Sequence, residues 1–109
     1  MASSREFLDF VLDQLRGVGG VSTRKMFGEY AIYVGNKVVA FVCDDRLFLK
    51  PTAAGRALIG TPVEEPIFPG SKLYFVADDY LDDPDFLSRL VLATAAEVAE
   101  PKPKKRKGR

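Results

Sequence analysis

Residues 29–50 read EYAIYVGNKVVAFVCDDRLFLK, and this stretch decides the fold. Apolar and aromatic residues dominate three short segments, 29–34, 37–43 and 46–50. Gly35-Asn36 is a two-residue hairpin signal, because both residues tolerate the positive φ that such turns need. Asp44-Asp45 turns the chain again. With residues 24–27 as a preceding strand and Gly28 as a bulge or turn, the pattern predicts an antiparallel meander of about four strands.

A helix is predicted on the amino-terminal side of this meander, over residues 4–16. Five apolar residues recur there at helical spacing: Phe7, Leu8, Val11, Leu12 and Leu15. Ser3 followed by Glu6 fits a capping box, in which the two side chains satisfy free backbone N–H groups of the first turn.

On the carboxyl-terminal side, Thr52 is positioned to cap a short helix over residues 53–59. Residues 61–71 contain three prolines and predict an irregular loop, in which Pro69-Gly70 suits a type II turn. Residues 72–77 predict one more strand. Asp83 is positioned to cap a last helix that has Pro84 at its first position.

These elements predict a two-layer α+β domain: a helix, an antiparallel meander of about four strands, a short helix, a strand and a C-terminal helix. The 109 residues suit a single domain, which we assign to residues 1–100. Residues 101–109 have no apolar residue to bury, so nothing offsets the entropy of ordering them. We therefore expect a disordered tail there.

That tail is strongly basic. The chain has a formal net charge of +1, but without the tail ten basic residues stand against fifteen acidic ones. Clustered basic residues attract nucleic acid, although lysines on phosphates do not read sequence. The alternative interpretation is a solubilising end without a specific partner. The candidate nucleic-acid contacts are Lys102, Lys104, Lys105, Arg106, Lys107 and Arg109.

The composition excludes much of catalytic chemistry. There is no histidine and only one cysteine, Cys43, so Ser-His-Asp and Cys-His catalysis and zinc-thiolate sites within one chain are excluded. The aspartates at 78, 79, 82, 83 and 85 do not have EF-hand spacing, and we interpret them as caps and loop residues. We expect no metal, no cofactor and no catalytic residues. With no long apolar stretch and a single cysteine, we expect a cytoplasmic protein without a membrane span.

Enzymatic activity remains an alternative hypothesis at this stage. The polar residues near the meander are Glu29, Tyr30, Asp44, Asp45 and Lys50. A carboxylate or lysine among them can do acid–base work only if burial shifts its pKa.

Both faces of the predicted strands are apolar. In residues 38–43 the two alternating sets are Val38, Ala40, Val42 and Val39, Phe41, Cys43. Helices cover only one face of a two-layer domain, so the second face is available to bury itself against a partner. We expect self-association as a homodimer; the alternative is a few exposed aromatic residues without a role.

The run Arg24-Lys25-Met26-Phe27-Gly28-Glu29-Tyr30, followed by Val39-Ala40-Phe41 and Arg46-Leu47-Phe48-Leu49-Lys50, resembles the TfoX N-terminal domain family. The similarity extends over roughly residues 4–98. It implies a helix, a twisted antiparallel sheet and packing helices. Members of that family are regulators linked to natural competence genes, and some act as co-activators with a cyclic-AMP-responsive transcription factor. Longer relatives continue into a helical second domain where this chain has its basic tail.

The resemblance implies a non-catalytic regulatory adaptor that binds a protein partner in transcriptional regulation. The first alternative is a non-specific nucleic-acid binder that acts through the tail, and the second is an enzyme of unknown type. The family carries no accepted catalytic residues. Arg24, Lys25 and Lys50 form a small basic spot if their strands are neighbours, which makes them the candidate partner contacts.

Overall fold

The computed structural model of the chain describes residues 4–26 and 29–98. Along the chain the elements are α1 (Arg5–Gln14), β1 (Val21–Met26), β2 (Glu29–Val34), β3 (Lys37–Cys43), β4 (Arg46–Leu49), α2 (Ala53–Ile59), β5 (Glu64–Pro66), β6 (Leu73–Val76), a 3-10 turn (Asp78–Tyr80) and α3 (Pro84–Glu97). This order confirms the predicted α+β class. The predicted bulge at Gly28 and the basic tail lie outside the described residues.

The strands form one antiparallel sheet in the order β1-β2-β3-β4-β6-β5. The predicted meander is β1 to β4, and β6 is the predicted later strand. The prediction of an irregular loop over residues 61–71 is wrong in its first part, where β5 pairs with β6 at the sheet edge. Three residues are too few to show a period, and Pro66 is compatible with a strand because β5 is an edge strand.

Side-chain caps begin all three helices, and two of the three were predicted. Thr52 Oγ1 accepts a hydrogen bond from the Gly55 N–H at 2.9 Å, and Asp83 Oδ1 accepts one from the Phe86 N–H at 3.2 Å. The cap predicted at Ser3 is wrong. Ser4 is the capping residue of α1, and its Oγ accepts from the Phe7 N–H at 3.1 Å. Adjacent serines are equivalent by type, so only the backbone geometry decides between them.

The two hairpin turns differ from each other in backbone conformation. Cys43 pairs with Arg46 across Asp44-Asp45, and both aspartates have positive φ, 54° and 56°. Such a pair of angles is typical of the type I′ hairpin turn. In the Gly35-Asn36 turn only Gly35 has positive φ, 63°. The turn with two positive φ angles is therefore Asp44-Asp45, and not the Gly35-Asn36 turn that the sequence pattern favours.

The helices cover one face of the sheet and create the core there. Ile32, Ala40, Leu49 and Phe75 form one continuous row across four strands. They pack in a single cluster with buried residues of α1 and α3, which include Leu8, Val11, Leu15, Leu87, Leu90 and Val91. All of the residues in this row are at most 1% exposed. The apolar stripes of α1 and α3 thus meet the sheet, as amphipathic helices on a two-layer fold require.

Candidate functional site

The opposite face of the sheet has no helix on it among the described elements. We call it the open face; it comprises Ala31, Tyr33, Phe41, Cys43, Phe48, Tyr74 and Val76, which alternate along the strands with the core residues. Ala31, Phe41, Phe48 and Val76 form a row through four strands. An aromatic sheet surface outside the main core is unusual on a monomeric protein and marks a candidate interaction site.

The turn after β5 borders this face. Ile67 and Phe68 line a depression of about 280 Å³ together with Phe41, Cys43 and Tyr74 of the sheet and with Glu29 and Tyr30 at its end. The rings of Phe41 and Tyr74 meet edge to face, with centroids 5.6 Å apart. The side chain of Phe68 is 62% exposed. Phe68 therefore adds an exposed aromatic ring to the edge of the open face.

Arg46 lies at one end of the open face and bonds two carboxylates there. Its Nη1 donates to Glu65 Oε1 at 2.8 Å, its Nε donates to Asp78 Oδ2 at 3.1 Å, and its guanidinium lies over the Phe48 ring, 5.2 Å from the centroid. These hydrogen bonds, first the one to Glu65, raise the pKa of Arg46 above its ordinary value, and the bond from Arg46 lowers the pKa of Glu65. Phe48 is only 3% exposed beneath this arrangement. Arg46 was not among the residues predicted to form the site. The signal that marks it is a charged residue at the start of an apolar strand.

The three predicted partner contacts do not meet in one place. Arg24 and Lys25 are adjacent on the edge strand β1, where their register partners are Ala31 and Tyr30, so their side chains leave opposite faces of the sheet. The Arg24 guanidinium lies 5.7 Å from the centroid of the Tyr33 ring. Lys50 follows β4, which β2 and β3 separate from β1. The condition that their strands be neighbours is therefore not met for Lys50.

Lys50 instead lies beside Lys72. Both residues line a groove of about 210 Å³ with Pro51, Thr52, Tyr74, Glu97 and Val98. No sequence pattern associates Lys50 with Lys72, because 22 positions separate them and only the β4–β6 pairing brings them together.

Two of the carboxylates considered for acid–base chemistry, Glu29 and Asp45, accept hydrogen bonds from backbone N–H groups. The Asp44 N–H donates to Glu29 Oε1 at 3.2 Å, and Asp45 Oδ1 accepts from the Ser4 N–H at 2.7 Å. Lys50 lies at the other end of β4 from this turn. Burial, as the largest cause, raises the pKa of the Cys43 thiol to about 11, so the thiol is protonated at neutral pH and is a weak nucleophile.

The aspartates after β6 also have structural partners. Asp78 accepts hydrogen bonds from Arg46 and from the Leu47 N–H, and Asp83 caps α3. Within residues 4–26 and 29–98, no group of three or more cysteine or carboxylate side chains is placed to hold a metal ion. The longest helix described there, α3, has 14 residues, and none of the described helices qualifies as a membrane span.

Two comparisons with known proteins bear on the family of the chain. The model of the TfoX N-terminal domain matches residues 13–98. A protein of Spirochaeta aurantia, described as an uncharacterized 12.7 kDa protein in the trpE 5′ region, is 44% identical over 107 residues, which are 98% of this chain and 93% of that protein. The matched residues include every strand, α2, α3 and the open face. The chain therefore belongs to the TfoX N-terminal domain family, a family of TfoX-like regulatory proteins.

Proposed function

We propose that the protein is a non-catalytic regulatory adaptor that binds a protein partner in transcriptional regulation. Competence genes are the first candidates for the genes that it regulates. The observation that carries this proposal is the exposed edge strand β1 with its two cations. β1 has six residues, and residues 22–25 are all exposed. The other sheet edge, β5, has only three residues and ends at Pro66, which cannot donate a backbone hydrogen bond. β1 is therefore the edge that can accept an added strand.

The chemistry of β1 favours an extended, acidic segment of the partner. Neither Arg24 nor Lys25 makes an ion pair with another described residue. A depression of about 410 Å³ runs beside Arg24, and it is lined by Ser22, Thr23, Arg24, Tyr33, Gly35 and Asn36. Backbone hydrogen bonds supply affinity in strand addition, and side-chain charges select the partner. Arg24 and Lys25 leave opposite faces of one strand, so they attract carboxylates at two neighbouring positions of an added strand, whose side chains also leave opposite faces.

Affinity capture from the native cell tests this proposal. The full chain is compared with the Arg24→Glu/Lys25→Glu variant and with Arg89→Glu, a charge reversal at an exposed position on α3. We expect a transcription-associated protein to be enriched by the full chain and by Arg89→Glu, and to be lost with the β1 variant. Enrichment of no such protein, or equal enrichment by all three chains, contradicts the proposal.

The basic tail supports a second candidate function, non-specific binding of nucleic acid. Six of its nine residues are basic: Lys102, Lys104, Lys105, Arg106, Lys107 and Arg109. Six phosphate contacts correspond to a slope of about −5 in log affinity against log salt concentration. The test compares DNA binding by the full chain and by a chain that ends at Glu100, across a salt series. Equal affinity and slope for the two chains would rule out this function.

A further inference from the structure

We propose that the open face is a dimer interface, in which two copies of the chain stack face to face about a two-fold axis that runs across the strands. This proposal goes beyond the adaptor function. The open face adjoins the β1 edge at Arg24, whose guanidinium lies over the Tyr33 ring, whereas Lys25 leaves the other face of the sheet. The evidence for the dimer interface is the shape of an apolar patch, the rigidity of the turn that carries Phe68, and the distribution of charge along the strands.

The apolar patch is larger than the open face itself. The Val63 carbonyl accepts a hydrogen bond from the Val76 N–H at 2.8 Å, which places Val63 next to β6 at the edge of this face. Val63 is 55% exposed and Phe68 is 62% exposed. Together with the half-buried Phe41, Tyr74 and Val76 they form one surface of aromatic and branched side chains. Aromatic residues at the centre of a patch are typical of interface cores.

Hydrogen bonds within the single chain fix the backbone of the turn that carries Phe68. The Ser71 N–H donates to the Phe68 carbonyl at 3.0 Å, and Gly70 has φ 88°, as the predicted type II turn requires. Ser71 Oγ also accepts from the Ile67 N–H at 3.0 Å. The ordered backbone of this turn lowers the entropy cost of burying Phe68 in an interface, because only the side chain is left to be immobilised.

Charges at the two ends of the strands have opposite sign. Lys50 and Lys72 lie at one end of the face, and neither makes an ion pair with another described residue. The β3–β4 turn with Asp44 and the turn after β6 with Asp79 lie at the other end. A two-fold axis across the strands places the basic end of each copy against the acidic end of its partner, whereas an axis along the strands brings like charges together.

Lys72 and Asp79 are one pair that this symmetry brings together. Lys72 immediately precedes β6 and Asp79 follows it, so the two residues mark the two ends of the same strand. Rotation about an axis across the strands keeps each strand opposite its own copy and reverses its direction. Lys72 of one copy therefore faces the partner's Asp79, and the contact occurs twice. This self-complementarity is what favours a second copy over a different protein as the occupant.

The area of the open face is of the order that a dimer needs. The four strands that carry it, about 4.8 Å apart and about 17 Å long, cover on the order of 330 Å² in projection. Val63 and Phe68 extend the patch beyond these strands, and the accessible area of a side-chain surface exceeds its projection. A standard interface buries about 800 Å² per partner, which is the same order of magnitude.

Sedimentation velocity over a concentration series, with the full chain, tests the apolar part. Phe68→Ser is compared with Phe10→Ser, which removes a ring that is 42% exposed on α1, in the helical layer. We expect dimerisation of the full chain, weakened on the order of tenfold or more by Phe68→Ser and unchanged by Phe10→Ser. Both rings are exposed, so both variants keep the fold, which far-ultraviolet circular dichroism checks. A full chain that stays monomeric up to millimolar concentration, or equal effects of the two variants, overturns the proposal.

A charge exchange tests the symmetry. Lys72→Glu and Asp79→Lys should each weaken the dimer, and the chain that carries both should recover affinity, because each contact again joins opposite charges. Failure of the double variant to recover overturns the proposed axis. Lys25→Glu alone, on the helix side of β1, should weaken partner capture and leave the dimer unchanged, so this single variant separates the two proposals.

Discussion

Arg46 Nη1 lies 2.8 Å from Glu65 Oε1, and this ion pair joins β4 to the edge strand β5 across the intervening β6. The same guanidinium bonds Asp78 beyond the end of β6. One side chain therefore connects three consecutive positions in the sheet. It also covers Phe48, so the apolar face and its polar end are parts of one structure.

Removal of this guanidinium should destabilise the fold. Arg46→Ala removes two charge-assisted hydrogen bonds and the contact with Phe48. We expect the free energy of unfolding to fall by about 1–2 kcal/mol, which is less than for a buried group because the side chains are partly solvated. Arg46→Lys should recover only part of it, because an ammonium lacks the planar fork. Urea denaturation gives the values. Arg16→Ala is the control. The ion pair of Arg16 with Asp13 is exposed, so we expect its free energy of unfolding to fall by less than about 0.5 kcal/mol. Equal losses for Arg46→Ala and Arg16→Ala would contradict this assignment.

Stability should fall in acid partly through Glu97. The N–H groups of Ala53 and Ala54 donate to its carboxylate at 2.9 and 3.0 Å, and these bonds lower its pKa below the ordinary 4.5. Because the folded state holds the deprotonated form, the contribution is complete above the unfolded pKa and disappears as the pH falls through the folded pKa.

Glu97→Gln should therefore lower the melting temperature at pH 7 and reduce the further drop between pH 7 and about pH 3. Asp82→Asn is the control, since Asp82 is exposed and makes no hydrogen bond or ion pair with another described residue. If the melting temperatures of Glu97→Gln and of the unmodified chain fall in parallel with pH, the carboxylate does not act in this way.

Cys43 should react slowly with thiol reagents in the folded protein. It is 8% exposed, and burial raises its pKa to about 11. Alkylation by iodoacetamide should accelerate with pH well beyond the range in which a free thiol, with a pKa of about 8.5, has reached its plateau. Mass spectrometry gives the rates, and the same chain in denaturant is the control. A plateau of the native rate near pH 9 would contradict the prediction.

Gly55→Ala should destabilise the protein although alanine favours helices. A Cβ at this position would lie 2.9 Å from Thr52 Oγ1 and 3.6 Å from the Phe75 ring. The hydroxyl is the cap of α2, so moving it away breaks the hydrogen bond from the Gly55 N–H. We expect a net loss of about 1 kcal/mol in the free energy of unfolding, because the lost cap and the crowding exceed the gain in propensity. Ala57→Gly, at an exposed position of the same helix, gives the propensity term alone. An increase in stability for Gly55→Ala would refute the argument.

Local sequence patterns were sufficient to predict those helices and strands whose signal spans several residues. The three apolar segments and the two turn signals between residues 29 and 50 predict β2, β3 and β4, and the caps at Thr52 and Asp83 predict α2 and α3. The edge strand β5 was missed because three residues carry no period. Ser4 replaced Ser3 as the cap because neighbouring serines differ only in backbone conformation, which packing of α1 on the sheet decides.

The candidate site shows the same difference between what local patterns predict and what packing decides. Apolar residues on both faces of β3 were visible in the sequence and led to the expectation of a second buried surface, because side-chain direction along a strand has a period of two. The sequence alone also determined the opposite charges of body and tail. Only the tertiary structure decided which side chains meet: it placed Lys50 beside Lys72 instead of Arg24, brought Arg46 to Glu65 and Asp78, and set Phe68 at the edge of the open face. These contacts depend on strand order and on one antiparallel pairing between distant segments, and no local propensity encodes which distant strand becomes the neighbour.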